Sequence, residues 1–301
     1  MNPAKVGSAI KTLRIKAGYT QHEVADYLNV TDKAVSKWER GLSVPDISII
    51  TKLSLFLNCD VDNLLEGNIS YLEEPWVGHL ILNVNNDEVF SGSLVYGKPL
   101  VYFFLSYFLL AGIRNIYIAC SKRDMDFIEK EVGAGESIGV HLHFLSENQY
   151  ELPFFENTMV VYDNPFVYGP NLTKYFQRAM SRMNGITILS SWSKRGYNRV
   201  VVNKYSKIES IKSCNHSRAC VPIAFFPKKY YKRIADIKEI EKLVEDNLLY
   251  IEPMGNGMVT FSVTNTENVF DVTCFCHFIK KTMGQEIYDI FEIAKKRNLI
   301  D

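Results

Sequence analysis

Between Thr31 and Arg40 the chain sets Asp32, Lys33, Ser36, Lys37 and Arg40 around two apolar residues, Val35 and Trp38. On a helix that spacing leaves the five polar side chains on one outer face. Such a face has a definite chemistry. Lys or Arg can bond guanine O6 and N7, Asp can accept from the cytosine amine, and Ser serves either role. Asp32 has a second reading, as a cap on the helix it begins. Elsewhere Asp163-Asn164 follow an apolar run, His141 and His143 alternate along another, and Cys214, His216 and Cys220 lie near one another. The cysteine and histidine set lacks a fourth metal ligand. Cys274, Cys276 and His277 sit among Phe275 and Phe278 and read as structural, as do His141 and His143.

The elements that must position the first set are short. Thr20 is a good N-cap, and Glu23 three residues later completes a capping box. Asn29 and Val30 break that helix, Thr31 caps the next, and Gly41 closes it. Val24, Ala25, Leu28, Val35 and Trp38 then share a core. A two-helix corner with a polar, basic outer face suits the DNA major groove, which admits one helix. Residues 5 to 66 resemble the helix-turn-helix domain of phage-repressor and xenobiotic-response-element-type regulators. Arg14, Gly18, Thr20-Gln21, VSKWERG, Pro45 and DVDNLLEG carry the likeness. It implies an all-α, five-helix, lambda-repressor-like domain with double-stranded DNA as partner. In the matching positions Gln21 holds a phosphate, and Asp32, Lys33 and Lys37 face base edges. Arg40 adds a backbone contact, and Arg14 with Glu39 forms a structural ion pair. The candidate DNA-binding set is therefore Gln21, Thr31, Asp32, Lys33, Ser36, Lys37 and Arg40.

At 301 residues and 47% apolar content the chain predicts two packed domains. We expect residues 1–66 as the first, 67–76 as a polar linker and 77–301 as the second. Net charge is zero, so DNA affinity must come from a local patch. Up to Lys52 there are eight Lys or Arg against five Asp or Glu, an excess that suits a dimer better than a lone module. Met1 leads into a polar amphipathic helix, not a secretory leader, and six scattered cysteines without a CxxC pair fit a reducing cytoplasm. The apolar run from Pro99 to Ile113 is shorter than the roughly 18 residues a membrane span needs, so it reads as a buried helix ending near Gly112.

From Val77 strands and helices alternate. Strands are expected at 77–84, 114–120, 139–145, 157–163, 186–191, 198–204, 208–211 and 221–226. Helices are expected at 99–112, near 124–132 and 171–183, across 227–247 with a break, at 266–283, and from 285 to about 297. That order argues for a mostly parallel sheet covered on both faces, with ligands beyond the carboxyl ends of its strands. GKPLVYFFLSYFLLAGIRNIYIACSKRD, GAGESIGVHLHFLSE, VVYDNPFVYG, GNGMVTFSVTNTENVFDVTCF and EIAKKRNLID occur in the same order as in the sugar-1-phosphate nucleotidyltransferases. Residues 77 to 301 resemble that family, most closely the glucose-1-phosphate thymidylyltransferases. The likeness implies a nucleotide-diphospho-sugar-transferase-like α/β domain with a Rossmann-like mixed sheet.

The family's chemistry needs a glycine-rich loop, a cation and carboxylates around a triphosphate. Where it has GGxGTRL this chain has NVNNDEVFSGSLVYGKP, without the glycine pair or the Arg. ENQYELPFFEN replaces the PxGLAxA segment, no EKP stands near Ile211 to Cys214, and Ser262 stands where a second metal-binding Asp is expected. Asp163 survives in YDN, and Lys98 matches a scaffold lysine. Losing one charge-stabilising donor commonly costs ~10² to 10³ in rate, so the expectation is a pseudoenzyme with no catalytic residue and no metal. Asn83, Asn85, Lys98, Asp163 and Asn164 remain as a candidate pocket for a nucleotide sugar or sugar phosphate. The expected protein is a DNA-binding regulator whose second domain senses such a ligand or builds a homo-oligomer. The alternative is an active sugar-1-phosphate nucleotidyltransferase, dependent on Mg²⁺, that carries a DNA-binding appendage.

Overall fold

A computed structural model describes residues 2–57, 59, 61–69, 75–82, 89–146, 156–192, 199–202, 208–211, 218–236, 240–246, 248–284 and 286–300. The first domain is helical: α1 (Pro3–Lys16), α2 (Gln21–Leu28), α3 (Asp32–Glu39), α4 (Ile47–Phe56) and α5 (Val61–Glu66). Its boundaries follow from local chemistry. Thr20 accepts from the Glu23 amide while the Glu23 carboxylate accepts from the Thr20 amide at 2.7 Å, the expected capping box. Asn29 ends α2 in the left-handed region (φ 56°), and Thr31 caps α3. Val24, Ala25, Leu28, Val35 and Trp38 are buried together with Ile10, Leu13, Leu53 and Leu64. Gly7 lets α1 approach α3 closely, since a Cβ there would lie 2.2 Å from the Trp38 carbonyl oxygen.

The second domain is built on nine strands of one sheet among the described residues. Its path runs β10 (Ile208–Ile211), β9 (Arg199–Val202), β11 (Arg218–Phe226), β6 (Asn157–Val161), β1 (Trp76–Ile81), β4 (Asn115–Ala119) and β5 (His141–Leu145). A branch adds β8 (Ile186–Ser191) on β11 and β12 (Leu249–Pro253) on β8. β6, β1, β4 and β5 are mutually parallel, whereas β11 runs against both β6 and β8. The sheet is thus mixed, with a parallel half nearest β1. α6 (Leu100–Ala111) is the buried helix expected from the apolar run, with Pro99 before it and Gly112 (φ 80°) after it. Its aromatic side chains Phe103, Phe104, Tyr107 and Phe108 are core. None of the described helices is long and apolar enough to cross a membrane.

α7 (Lys122–Val132), α8 (Leu172–Ser181), α10 (Thr266–Met283) and α11 (Ile290–Lys296) fall where helices were expected, but α11 begins later. Asp289 caps it, accepting from Phe291 and Glu292, and Tyr288 before it lies at φ 45°. The stretch after Pro227 is a 3₁₀ segment (Lys228–Asp236) and then α9 (Ile240–Glu245). Sequence reading missed three short pairings. β2 (Leu94–Val95) and β3 (Lys98–Pro99) form a hairpin whose two turn residues, Tyr96 and Gly97, both have positive φ. β7 (Pro165–Tyr168) pairs with β13 (Val259–Ser262), and β12 was read as part of a helical tail.

The two domains touch. The Arg178 guanidinium of α8 lies 4.2 Å from the centre of the Tyr19 ring, and its NH2 lies 3.6 Å from Glu23. Lys174 and Gln177 of α8 flank Gly18.

Candidate nucleic-acid interface and strand-end site

The polar face of α3 is assembled as the sequence implies. Asp32, Lys33, Lys37 and Arg40 are exposed and Ser36 is half-buried, while Val35 and Trp38 point inward. Thr31 is the capping acceptor, taking the Ala34 amide at 3.2 Å, so its hydroxyl belongs to the helix terminus. Asp32 faces His22 of α2 at 3.2 Å instead. Arg40 folds its Nε back toward the Ser36 carbonyl at 3.3 Å.

Gln21 is held from behind. Its amide nitrogen donates to Glu39 at 2.7 Å, and Glu39 also accepts from two nitrogens of Arg14, one of them at 3.1 Å. Arg14 in turn donates to the Tyr19 carbonyl at 2.8 Å. The Arg14–Glu39 pair is therefore structural, and its product is a fixed orientation for Gln21 at the N-terminus of α2. That terminus carries the partial positive charge to which a phosphate is drawn. His22 is the residue sequence reasoning missed. The hydrogen bond to Asp32, aided by the charge of Asp26, raises its pKa. Its signal is its place on the first turn of α2, beside the start of α3.

At the carboxyl end of β6 the chain makes an abrupt turn. Asp163 (φ 51°) and Asn164 (φ 46°) are successive left-handed residues, and Pro165 then begins β7. Two such residues together store roughly 1–3 kcal/mol each, a strain typical of ligand clamps and switch points. The Asn164 carbonyl accepts from Val263 at 3.1 Å, while its side-chain oxygen is buried without a partner among the described residues. Ser262 pairs with Pro165 across β13 and β7, so it lies beside Asp163-Asn164. The structure thereby brings the position expected to hold a second metal carboxylate next to the first, and it carries a hydroxyl. Mg²⁺ sites are built on carboxylates, waters and phosphates. The described residues contain no group of three His, Cys, Asp or Glu suited to a metal. One carboxylate and a serine do not fit such a cation.

Lys98 is committed elsewhere: its ammonium lies 3.3 Å from Glu286 and 3.4 Å from Asp289, and donates to the Ile287 carbonyl. It lines a small cleft with Tyr96, Cys276 and Lys280, and Asp163 is not part of that lining. Asn83 and Asn85 lie outside the described residues, as do Cys214 and His216. Nearer the strand end stands Arg218, which sequence reading passed over. It crosses the Trp192 ring at 4.4 Å, donates to Ser190 Oγ at 2.9 Å and bonds the Met254 carbonyl. Arg218 begins β11 and Trp192 follows β8, at the sheet edge from which Asp163 also projects.

These two regions define the class of each half: a helix-turn-helix domain, then an α/β domain with a nucleotidyltransferase sheet. Residues 10–64 match the helix-turn-helix family. Over 61 residues the chain is 39% identical to the SPbeta prophage-derived HTH-type transcriptional regulator YonR of Bacillus subtilis, covering 20% of this chain and 56% of that one. The chain thus spans little more than half the length of that relative. Over 239 residues it is 26% identical to the glucose-1-phosphate thymidylyltransferase of Mycolicibacterium smegmatis, covering 69% of this chain and 81% of that one. A solved Bacillus anthracis structure, described as a glucose-1-phosphate thymidylyltransferase in complex with sucrose, superposes with a TM-score of 0.56 at 12% identity. It covers 72% of this chain and 98% of that one, and at this identity it speaks for the fold. The C-terminal half is a sugar-nucleotidyltransferase-like domain by sequence and by fold.

Proposed function

We propose that the protein is a sequence-specific DNA-binding transcriptional regulator. In this reading its nucleotidyltransferase-like domain has lost the triphosphate grip and serves as a sensor of a nucleotide sugar or sugar phosphate. The observation that carries the DNA-binding half is the exposed set Lys33, Lys37 and Arg40 on α3, beside a Gln21 locked by Glu39. Lys33 and Lys37 read base edges, Gln21 and the terminus of α2 hold a phosphate, and a second copy reads the other half-site. Selection from random duplexes followed by a gel-shift titration tests this. Lys33→Ala or Lys37→Ala should weaken the selected site by ~1–3 kcal/mol and relax its sequence preference. Failure to shift any duplex at low salt overturns the reading.

Sensing rests on the strained Asp163-Asn164 corner and the unpartnered Asn164 oxygen. A ligand that meets this corner in only one of two states would shift operator affinity by its differential binding. Calorimetry against nucleotide sugars, sugar phosphates and nucleotides is the measurement. An absence of heat throughout that panel leaves the domain as an oligomerisation platform. Retention of Asp163 also keeps a second reading, an active nucleotidyltransferase. Incubation with nucleoside triphosphates, glucose-1-phosphate and Mg²⁺ separates the two, because sustained pyrophosphate release belongs only to the enzyme.

A further inference from the structure

α10 is the longest helix among the described residues, with 18 residues, and one of its faces is uncovered. Phe270 is 67% exposed and Phe278 61%, and Cys274 between them is exposed too. Two large aromatic side chains on one helical stripe are costly to leave in water. At about 100° per residue, Glu267, Phe270, Cys274, Phe278 and Lys281 all fall within about 40° of the direction of Cys274. Their order along the helix is symmetric about that cysteine. Glu267 lies as far before it as Lys281 lies after it, and the same holds for Phe270 and Phe278 and for Asp271 and His277.

We infer that this face binds the same face of a second copy of the chain, the two α10 helices running antiparallel with the twofold axis at Cys274. In that arrangement each Phe270 packs on the partner copy's Phe278, and each Glu267 meets the partner copy's Lys281. Asp271 faces His277 in the same manner. An isologous contact requires a surface complementary to itself, and a stripe that reads acid, aromatic, thiol, aromatic, base meets that demand only in the antiparallel sense. A parallel pairing would set Glu267 against Glu267 and Lys281 against Lys281. Glu267 and Lys281 make no ion pair within the chain among the described residues, so both remain available for it. The inference deepens the paired-copy part of the proposed regulator, but its test makes no use of DNA.

The full chain should run in light scattering at twice its 34.5 kDa. Phe278→Glu should give a monomer whose circular dichroism is unchanged. Glu267→Lys alone, and Lys281→Glu alone, should each weaken the dimer about tenfold by placing like charges across the axis twice. The double exchange Glu267→Lys with Lys281→Glu should restore it to within about threefold, a rescue that only antiparallel pairing predicts. A short bismaleimide should link two copies, and Cys274→Ser should abolish the linked band. A chain that is monomeric at tens of micromolar overturns the inference. So does a dimer indifferent to Phe278→Glu, or one that the double exchange fails to rescue.

Discussion

The two domains treat buried polar groups in opposite ways. In the helix-turn-helix domain Glu39 is buried, yet it accepts from Arg14 and Gln21, and Arg14 is further engaged by Tyr19. In the larger domain His79 of β1 is wholly buried with neither ring nitrogen bonded, and the Asn164 oxygen is in the same condition. The contrast separates a finished site from an unfinished one. The first domain uses a satisfied network to aim one surface residue, which is what preorganised binding demands. The second keeps a transferase's sheet while leaving polar atoms at its strand ends and interior for which the chain supplies no partner.

The strongest way to break that comparison is at the network itself. Arg14→Ala strips a buried carboxylate of its cation and should cost roughly 3–5 kcal/mol. Gln21 then loses its fixed orientation as well. In calorimetry the helix-turn-helix transition should separate and fall, while the α/β transition stays in place. Movement of both transitions together would show that the domains melt as one unit, and the contrast would lose its meaning.

Acid should sharpen the comparison next. Burial pushes His79 down to about 4, so between pH 6.5 and that value only the unfolded chain takes up the proton. Stability of the α/β domain is therefore complete above pH 6.5 and declines as pH falls, by on the order of 3 kcal/mol across the window. His79→Leu should flatten this acid limb. His22 has the opposite sign: its pKa is raised by the bond to Asp32, so its contribution is full below its unfolded value and fades as pH rises through the folded one. Thermal melts from pH 7 to 4.5 should show the α/β transition falling. An α/β transition flat with pH in the native chain would remove His79 from the account.

Much of the first domain was legible because its signals are local. Thr20 with Glu23, Asn29, Thr31 and Gly41 all lie within one stretch of 22 residues, and each acts on its own terminus. The site there is one face of one helix, so periodicity displays it. In the second domain the long elements were legible from apolar runs, but β2, β3, β7 and β13 have two to four residues and no periodicity to detect. β12 was hidden because Leu249–Pro253 follows a helix and carries Glu252, a buried acid whose partner Arg182 is 70 positions away and 3.6 Å distant. The strand-end site was legible only at Asp163. The neighbourhood of Ser262 and Pro165 is a product of pairing across nearly a hundred residues. No local pattern announces it.

A smaller effect is expected at the cap. Thr20→Ala removes the acceptor for the Glu23 amide and should cost about 1 kcal/mol, entirely in the helix-turn-helix transition. A loss of 3 kcal/mol or more would mean that Thr20 also matters to the contact with α8.

That contact gives the smallest expected change and the finest test. Arg178 stacks on Tyr19 and pairs with Glu23 at 3.6 Å, with the two side chains 20% and 43% exposed. A pair this open is worth under about 1 kcal/mol after solvent screening, and the ring contact adds a similar amount. Arg178→Ala should therefore leave each domain's melting temperature within about two degrees of the parent. Its effect belongs to the junction, because Glu23 also completes the box that starts α2, one turn from Gln21. Removing Arg178 should loosen the domains relative to one another, raise protease cleavage in 67–76 and leave the DNA affinity of the ligand-free chain nearly unchanged. Under the sensor reading it should also cut the response of DNA affinity to any ligand that binds the α/β domain. An undiminished response would mean that the signal crosses by some route other than α8.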